Sequence, residues 1–157
     1  MIRFEKDFRT CGEQLVLRDL LTIRRCPTER WCGLKPEDFA HDLHGRIFRH
    51  VVRLRTRSLL PTPAAVFVAM RDEHRGRGMD GVADYLAWLV ADDTEITKEP
   101  NRACLTFFAE ADRSAGERAR RDVETSTRQR ASMATSTLRR ESSPAAPLPT
   151  LDAYLRS

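Results

Sequence analysis

No apolar run in this 157-residue chain approaches the roughly 18 residues that a membrane-spanning helix requires, so no membrane span is expected. The opening MIRFEKDFR alternates charge with single apolar residues and lacks the continuous apolar stretch of a secretory signal; the expected location is the cytoplasm. Lysine is scarce. Of 27 basic residues only 3 are lysine, an arginine bias that fits a genome rich in G and C as well as it fits phosphate binding. With a formal net charge of +4, the chain permits an anionic partner without requiring one. The four cysteines, Cys11, Cys26, Cys32 and Cys104, form no C-x-x-C pair, which leaves partly buried free thiols as the expectation. No segment alternates apolar and polar residues between turn signals, and no internal repeat occurs, so β-structure is not expected.

Helical spacing is what remains. From Cys11 to Arg24, Val16, Leu17, Leu20, Leu21 and Ile23 make one stripe, with Glu13, Arg18 and Asp19 expected outward and Cys26-Pro27 as the stop. Residues 1–10 read as an extended lead-in, and Trp31 as a side chain folded back over the core. The strongest stretch opens at Leu34-Lys-Pro36 and carries Leu43, Ile47, Phe48, Val51, Val52 and Leu54, which predicts one helix from Pro36 to about Arg57. Thr62 and Pro63 suit the N-cap and first turn of a third helix. Glycines 76, 78 and 81 mark a loop. Val82, Tyr85, Leu86, Leu89 and Val90 then give the cleanest amphipathic pattern, and Ala103, Cys104, Phe107, Phe108 and Ala111 a last helix.

Beyond Asp112 the large apolar residues thin out. Residues 113–131 read as a charged helical extension, and 132–157 as a Ser/Thr/Pro-rich disordered tail. Within that tail Leu148, Leu151, Tyr154 and Leu155 share one face of a short segment suited to docking on a partner. The fold class expected is all-α, a compact bundle of five to six helices over residues 11–112 with a disordered C-terminal tail.

Few residues point to chemistry. Cys26, Cys32, His41 and His44 make a tetrahedral donor set, but C-x5-C-x8-H-x2-H is not a usual zinc spacing, so no metal is expected. Glu37 and Asp38 sit where a helix dipole favours acids. His44, at an apolar–polar boundary, reads as a hydrogen-bonding residue of the bundle interior. No nucleophile, base and acid fall into a catalytic order, so no cofactor and no enzyme activity are expected. Arg118, Arg120 and Arg121 are candidates for phosphate contact, diluted by acidic neighbours.

Several motifs together resemble the N-terminal domain of the DnaB-type replicative DNA helicases. They are Glu13-Gln14-Leu15-Val16-Leu17, then Leu34 with Pro36-Glu-Asp-Phe39, then His44 with Ile47-Phe48, and Gly81 with Tyr85-Leu86. Arg18 and Asp19 stand where that family has small residues. No G-x-x-x-x-G-K-S/T phosphate loop occurs in the chain, so no nucleotide-driven motor is expected. The resemblance implies a stand-alone interaction module that self-associates as a dimer or higher assembly and docks a replicative helicase or primase. A small DNA-binding regulator using the arginine-rich helix, or a remnant of a split helicase, are the rival expectations.

Overall fold

The computed structural model describes residues 2–22, 33–74 and 78–141, with only the backbone of His74 and of 134–141. Its elements are α1 (Phe8–Thr22), a 3-10 turn (Pro36–Asp38), α2 (Asp42–Thr56), α3 (Pro63–His74), α4 (Val82–Val90) and α5 (Pro100–Glu141). Among the described residues there is no strand, and the expected all-α class is observed. Among the described residues no helix is long and apolar enough to cross a membrane. The chain divides into two units, Met1–Gly116 and Glu117–Ser157.

In the first unit a single core joins all five helices. Val16, Leu17 and Leu20 of α1 meet Ile47, Phe48 and Val51 of α2, Val66 and Met70 of α3, Tyr85, Leu86 and Leu89 of α4, and Ala103 and Phe107 of α5. Glycine permits the closest approaches. A Cβ on Gly12 would collide with the Ala103 carbonyl oxygen and lie 2.7 Å from Phe107 Cβ, and one on Gly45 would lie 2.5 Å from the Pro36 oxygen.

The helix ends explain several departures from expectation. α1 starts at Phe8, inside the stretch expected to be extended, because Asp7 caps it: the Thr10 N–H donates to Asp7 Oδ1 at 2.8 Å and the Thr10 hydroxyl to Oδ2 at 2.7 Å. Arg18 is not turned out to solvent. Its Nε donates to the Leu89 carbonyl, and its Nη2 to those of Ala91 and Thr94, at 2.7–3.0 Å, satisfying the C-terminal end of α4. Arg55 Nη2 does the same for Leu20 of α1 at 2.8 Å.

The helix expected to run unbroken from Pro36 is instead a 3-10 turn followed by α2. Phe39 is extended (φ −84°, ψ 132°) and turns its ring inward, 5.0 Å from Phe48 and 5.2 Å from Phe107. α3 begins as expected at Pro63, with the Ala65 N–H donating to the Thr62 hydroxyl at 3.2 Å. The proposed stop at Cys26-Pro27 and the placement of Trp31 lie outside the described residues.

The helical part of the second unit corrects the expected tail. α5 continues through Glu141, so 132–141 are helical rather than disordered. Ala, Met, Leu and Arg in this stretch are good helix formers. The hydroxyls of Thr125 and Thr127 just upstream bond back to the Arg121 and Val123 carbonyls at 2.9 and 2.8 Å, so they do not compete with the helix from outside it.

α2 ends in a Schellman turn: the Leu59 N–H donates to the Leu54 carbonyl at 2.9 Å and the Ser58 N–H to that of Arg55 at 2.8 Å. Glycine is usual at the left-handed position of this turn, but here it is Ser58, at φ 58°. Ser58→Gly is expected to raise stability by about 1 kcal/mol, and Gly12→Ala to lower it by about 2 kcal/mol through the collision with α5. Urea denaturation of both variants measures the two signs.

Candidate functional site

The most heavily polar part of the interior lies between α1, α2 and α4. Glu13, expected to face outward, is fully buried. It sits one helical turn before Val16 and Leu17 and therefore on the core side of α1. One carboxylate oxygen accepts the Ala40 N–H at 2.6 Å; the other meets His44 Nδ1 at 2.6 Å. His44 Nε2 lies 2.6 Å from the Tyr85 hydroxyl, which also accepts from Gln14 Nε2 at 3.2 Å.

These contacts assign the protons. Nδ1–H of His44 donates to Glu13, the Tyr85 hydroxyl donates to Nε2, and the Gln14 amide donates to the tyrosine oxygen. Glu13, His44 and Tyr85 are then satisfied with a neutral imidazole. Burial drives the same outcome, holding His44 below its ordinary value of 6.5 against the opposing pull of Glu13. The contact with Glu13 is thus a hydrogen bond rather than an ion pair. Burial also pushes the Tyr85 phenol well above its usual 10.

Aromatic rings close the chain off from water. Phe4, in the segment preceding α1, lies with its ring 4.6 Å from His41, 4.5 Å from His44 and 5.2 Å from Tyr85. Thr10 Oγ1 and His41 Nε2 pair at 2.9 Å beside it. A recess of about 320 Å³ opens past Gln14, Tyr85 and Trp88. A Glu–His–Tyr series has the order of a proton relay. Yet its terminal hydroxyl is held by two partners and resists ionisation, so the arrangement suits fastening three helices together.

A second feature lies on the surface of the same unit. α2 and α3 flank a cleft of about 600 Å³ with Leu54, Ala65, Val68 and Ala69 inside it and Arg53, Arg57, Asp72 and Glu73 at its walls. His50 Nε2 and Arg53 both reach Glu73, at 2.7 and 3.0 Å. Of seven large hydrophobic residues exposed among those described, three belong to this region: Leu59 and Leu60 in the connection, and Val68 on α3. Such a concentration marks a contact surface more often than chance exposure does.

The residues singled out by sequence divide clearly. Phe39, His44, Ile47, Phe48, Tyr85 and Leu86 are buried in one core, with Leu34 and Pro36 half-buried at its edge. Gly81 stands at φ 72° at the start of α4, a left-handed position that favours glycine. In the second unit Arg120 and Arg121 are exposed and Arg118 is half-buried. Glu117 and Arg121 approach to 4.0 Å, and Arg120–Glu124 and Glu124–Arg128 repeat the four-residue step. Acids on the arginine face weaken it as a phosphate track. Leu148, Leu151, Tyr154 and Leu155 lie outside the described residues, as do Cys26 and Cys32 of the zinc alternative. Among the described residues no three His, Cys, Asp or Glu side chains converge as a metal group. Cys11 is buried, its thiol 3.7 Å from the Ile96 carbonyl oxygen.

Sequence reasoning missed Glu13, Gln14, Phe4, Leu59 and Leu60 as members of these sites. A signal was present for Glu13, in its register with Val16, Leu17 and Leu20; none was present for Phe4, whose partners are remote in the chain.

Glu13→Ala is expected to cost about 3 kcal/mol, since it strands His44 in the core and removes the acceptor of the Ala40 N–H. Tyr85→Phe should cost about 1–2 kcal/mol by denaturant unfolding. His44 and His50 are both held below 6.5 in the fold, chiefly by burial. The unfolded chain therefore takes up their protons first as pH falls. Stability should be full above about pH 6.5 and decline toward pH 5, a slope that thermal melts would register and that His50→Asn would reduce.

The chain matches no family model, no curated protein and no solved structure.

Proposed function

We propose that the first unit is a protein-docking module of DNA replication with no chemistry of its own, acting by association with copies of itself or with a replicative helicase or primase. The observation that carries the docking role is the apolar surface around α2 and α3, where Leu59, Leu60 and Val68 are exposed beside a cleft. The replication setting rests on the ordered motifs that resemble the DnaB-type N-terminal domain. Those motifs are consistent with one another in space: His44 and Tyr85 share a hydrogen bond, and Phe39 and Phe48 share a ring contact. The buried relay supports a binding role over a catalytic one, because its groups are already paired with each other.

Light scattering, together with a binding assay against purified replicative helicase and primase, tests this reading. Association in at least one of the three is expected. A strict monomer across micromolar concentrations that binds neither protein would overturn it.

A further inference from the structure

We infer that the recess beside Gln14 and Trp88 binds a free aromatic amino acid whose ring carries a hydrogen-bond donor, tyrosine or tryptophan. This recess shares no residue with the α2–α3 cleft, and its ligand is independent of the docking role proposed above.

The inner end of the recess has its polarity set from within the core. Glu13 can only accept, so His44 presents Nδ1–H to it and an unprotonated Nε2 to Tyr85. The single phenolic proton of Tyr85 is thereby committed to Nε2, and only an N–H can meet its oxygen from the other side. Gln14 must then turn its Nε2 toward Tyr85, at 3.2 Å, and its Oε1 away. Gln14 is 7% exposed, yet no described group donates to Oε1. Nor is that oxygen sealed from solvent: Gln14 and Tyr85 line the recess, which holds about 320 Å³. A nearly buried acceptor facing a recess favours a ligand N–H or O–H more than an exposed one does.

The walls select a ring. Ile2, Phe4 and Trp88 are half-buried along the recess, and Ile96 is buried beside them. Trp88 already stacks on Tyr85 with ring centroids 5.7 Å apart, which holds its plane. The backbone that follows α4 is held too: Arg18 bonds the Leu89, Ala91 and Thr94 carbonyls, and the Thr94 hydroxyl donates to that of Trp88 at 2.8 Å. A flat apolar group gains buried area and offset stacking here without first ordering the site. Ligand sites span roughly 300–1,000 Å³, so this recess suits one ring with a short substituent and is small for a nucleotide.

The mouth sets the charge. Arg3, Glu5, Lys6 and Glu95 are exposed there, two of each sign, and among the described residues no ion pair engages any of them. Their charges cancel, so a net anion or a net cation gains nothing from the field. A zwitterion does gain, because its carboxylate and its ammonium each find an opposite charge. An apolar ring with a donor on the ring and a zwitterion behind it is an aromatic amino acid. The phenol of tyrosine and the indole of tryptophan supply the donor; phenylalanine lacks one.

Isothermal titration calorimetry of the full chain with L-tyrosine, L-tryptophan and L-phenylalanine provides the test, on the parent and on Gln14→Met, whose folding circular dichroism melts check. At least one of the first two is expected to bind with a millimolar or lower dissociation constant. Phenylalanine should bind about tenfold more weakly, the worth of one hydrogen bond. Gln14→Met should bring the donor-bearing ligand down to the phenylalanine level. The decarboxylated and N-acetylated forms of the ligand that binds, each keeping a single charge, should both be weaker than the zwitterion. If Gln14→Met fails to fold, the comparison with phenylalanine on the parent chain decides. No binding of tyrosine or tryptophan at millimolar concentration overturns the inference. So does phenylalanine at equal affinity, a folded Gln14→Met that keeps the preference, or a single-charge form that binds as tightly as the zwitterion. Any of these failures leaves the helicase and primase assay to judge the docking role separately.

Discussion

The interior of the first unit depends on one buried carboxylate. Glu13 has no access to water; its two oxygens accept from groups outside its own helix, the Ala40 N–H and His44, and Arg9, one turn earlier on α1, lies 3.6 Å from one of them. A carboxylate in that position is tolerable only while both partners are present. Rotation of α1 by one residue, or a slide of α2 along it, would take the carboxylate away from the Ala40 N–H and His44 and leave it against Val16, Leu17, Ile47 and Phe48. Apolar contacts alone would tolerate many such slips. The carboxylate therefore selects one packing, and His44 passes the constraint on to Tyr85 and so to α4.

Other irregularities follow from that demand. An uninterrupted helix through residue 40 would direct the Ala40 N–H to the Pro36 carbonyl. The break after Asp38 releases it to Glu13 and swings Phe39 inward to Phe48 and Phe107. Gly45 lets α2 pass close over the Pro36 carbonyl, and Gly12 lets α1 lie against α5. Arg18 and Arg55 then satisfy helix ends that such tight packing would otherwise leave without water or partner. These arginines act as caps, and a basic composition need not signal an anionic ligand.

Much of the architecture was legible in local periodicity. The stripes of α2 and α4, the Thr62-Pro63 start of α3 and the Phe107 face of α5 depend on neighbours three and four residues away, which a single sequence displays. The polar interior was less so. Glu13 meets its histidine across 31 positions, and no pattern within α1 announces a partner at that distance. Residues 132–141 misled in the opposite way. Their Ser, Thr and Ala content lacks apolar period, yet backbone propensity sustains a helix there. The exposure of Leu59 and Leu60 had no signal in the sequence, because it cannot be seen until a leucine's surroundings are known.

Phe4 carries a last implication. Its ring rests on both members of the His41–His44 pair and on Tyr85, so a residue in an irregular segment is part of the roof of the molecule's most polar chamber. The folding boundary consequently lies upstream of the first helix. Cutting the chain at Phe8, as helix limits alone would suggest, would admit solvent to the imidazole and phenol and turn a dry fastening into a hydrated and looser one.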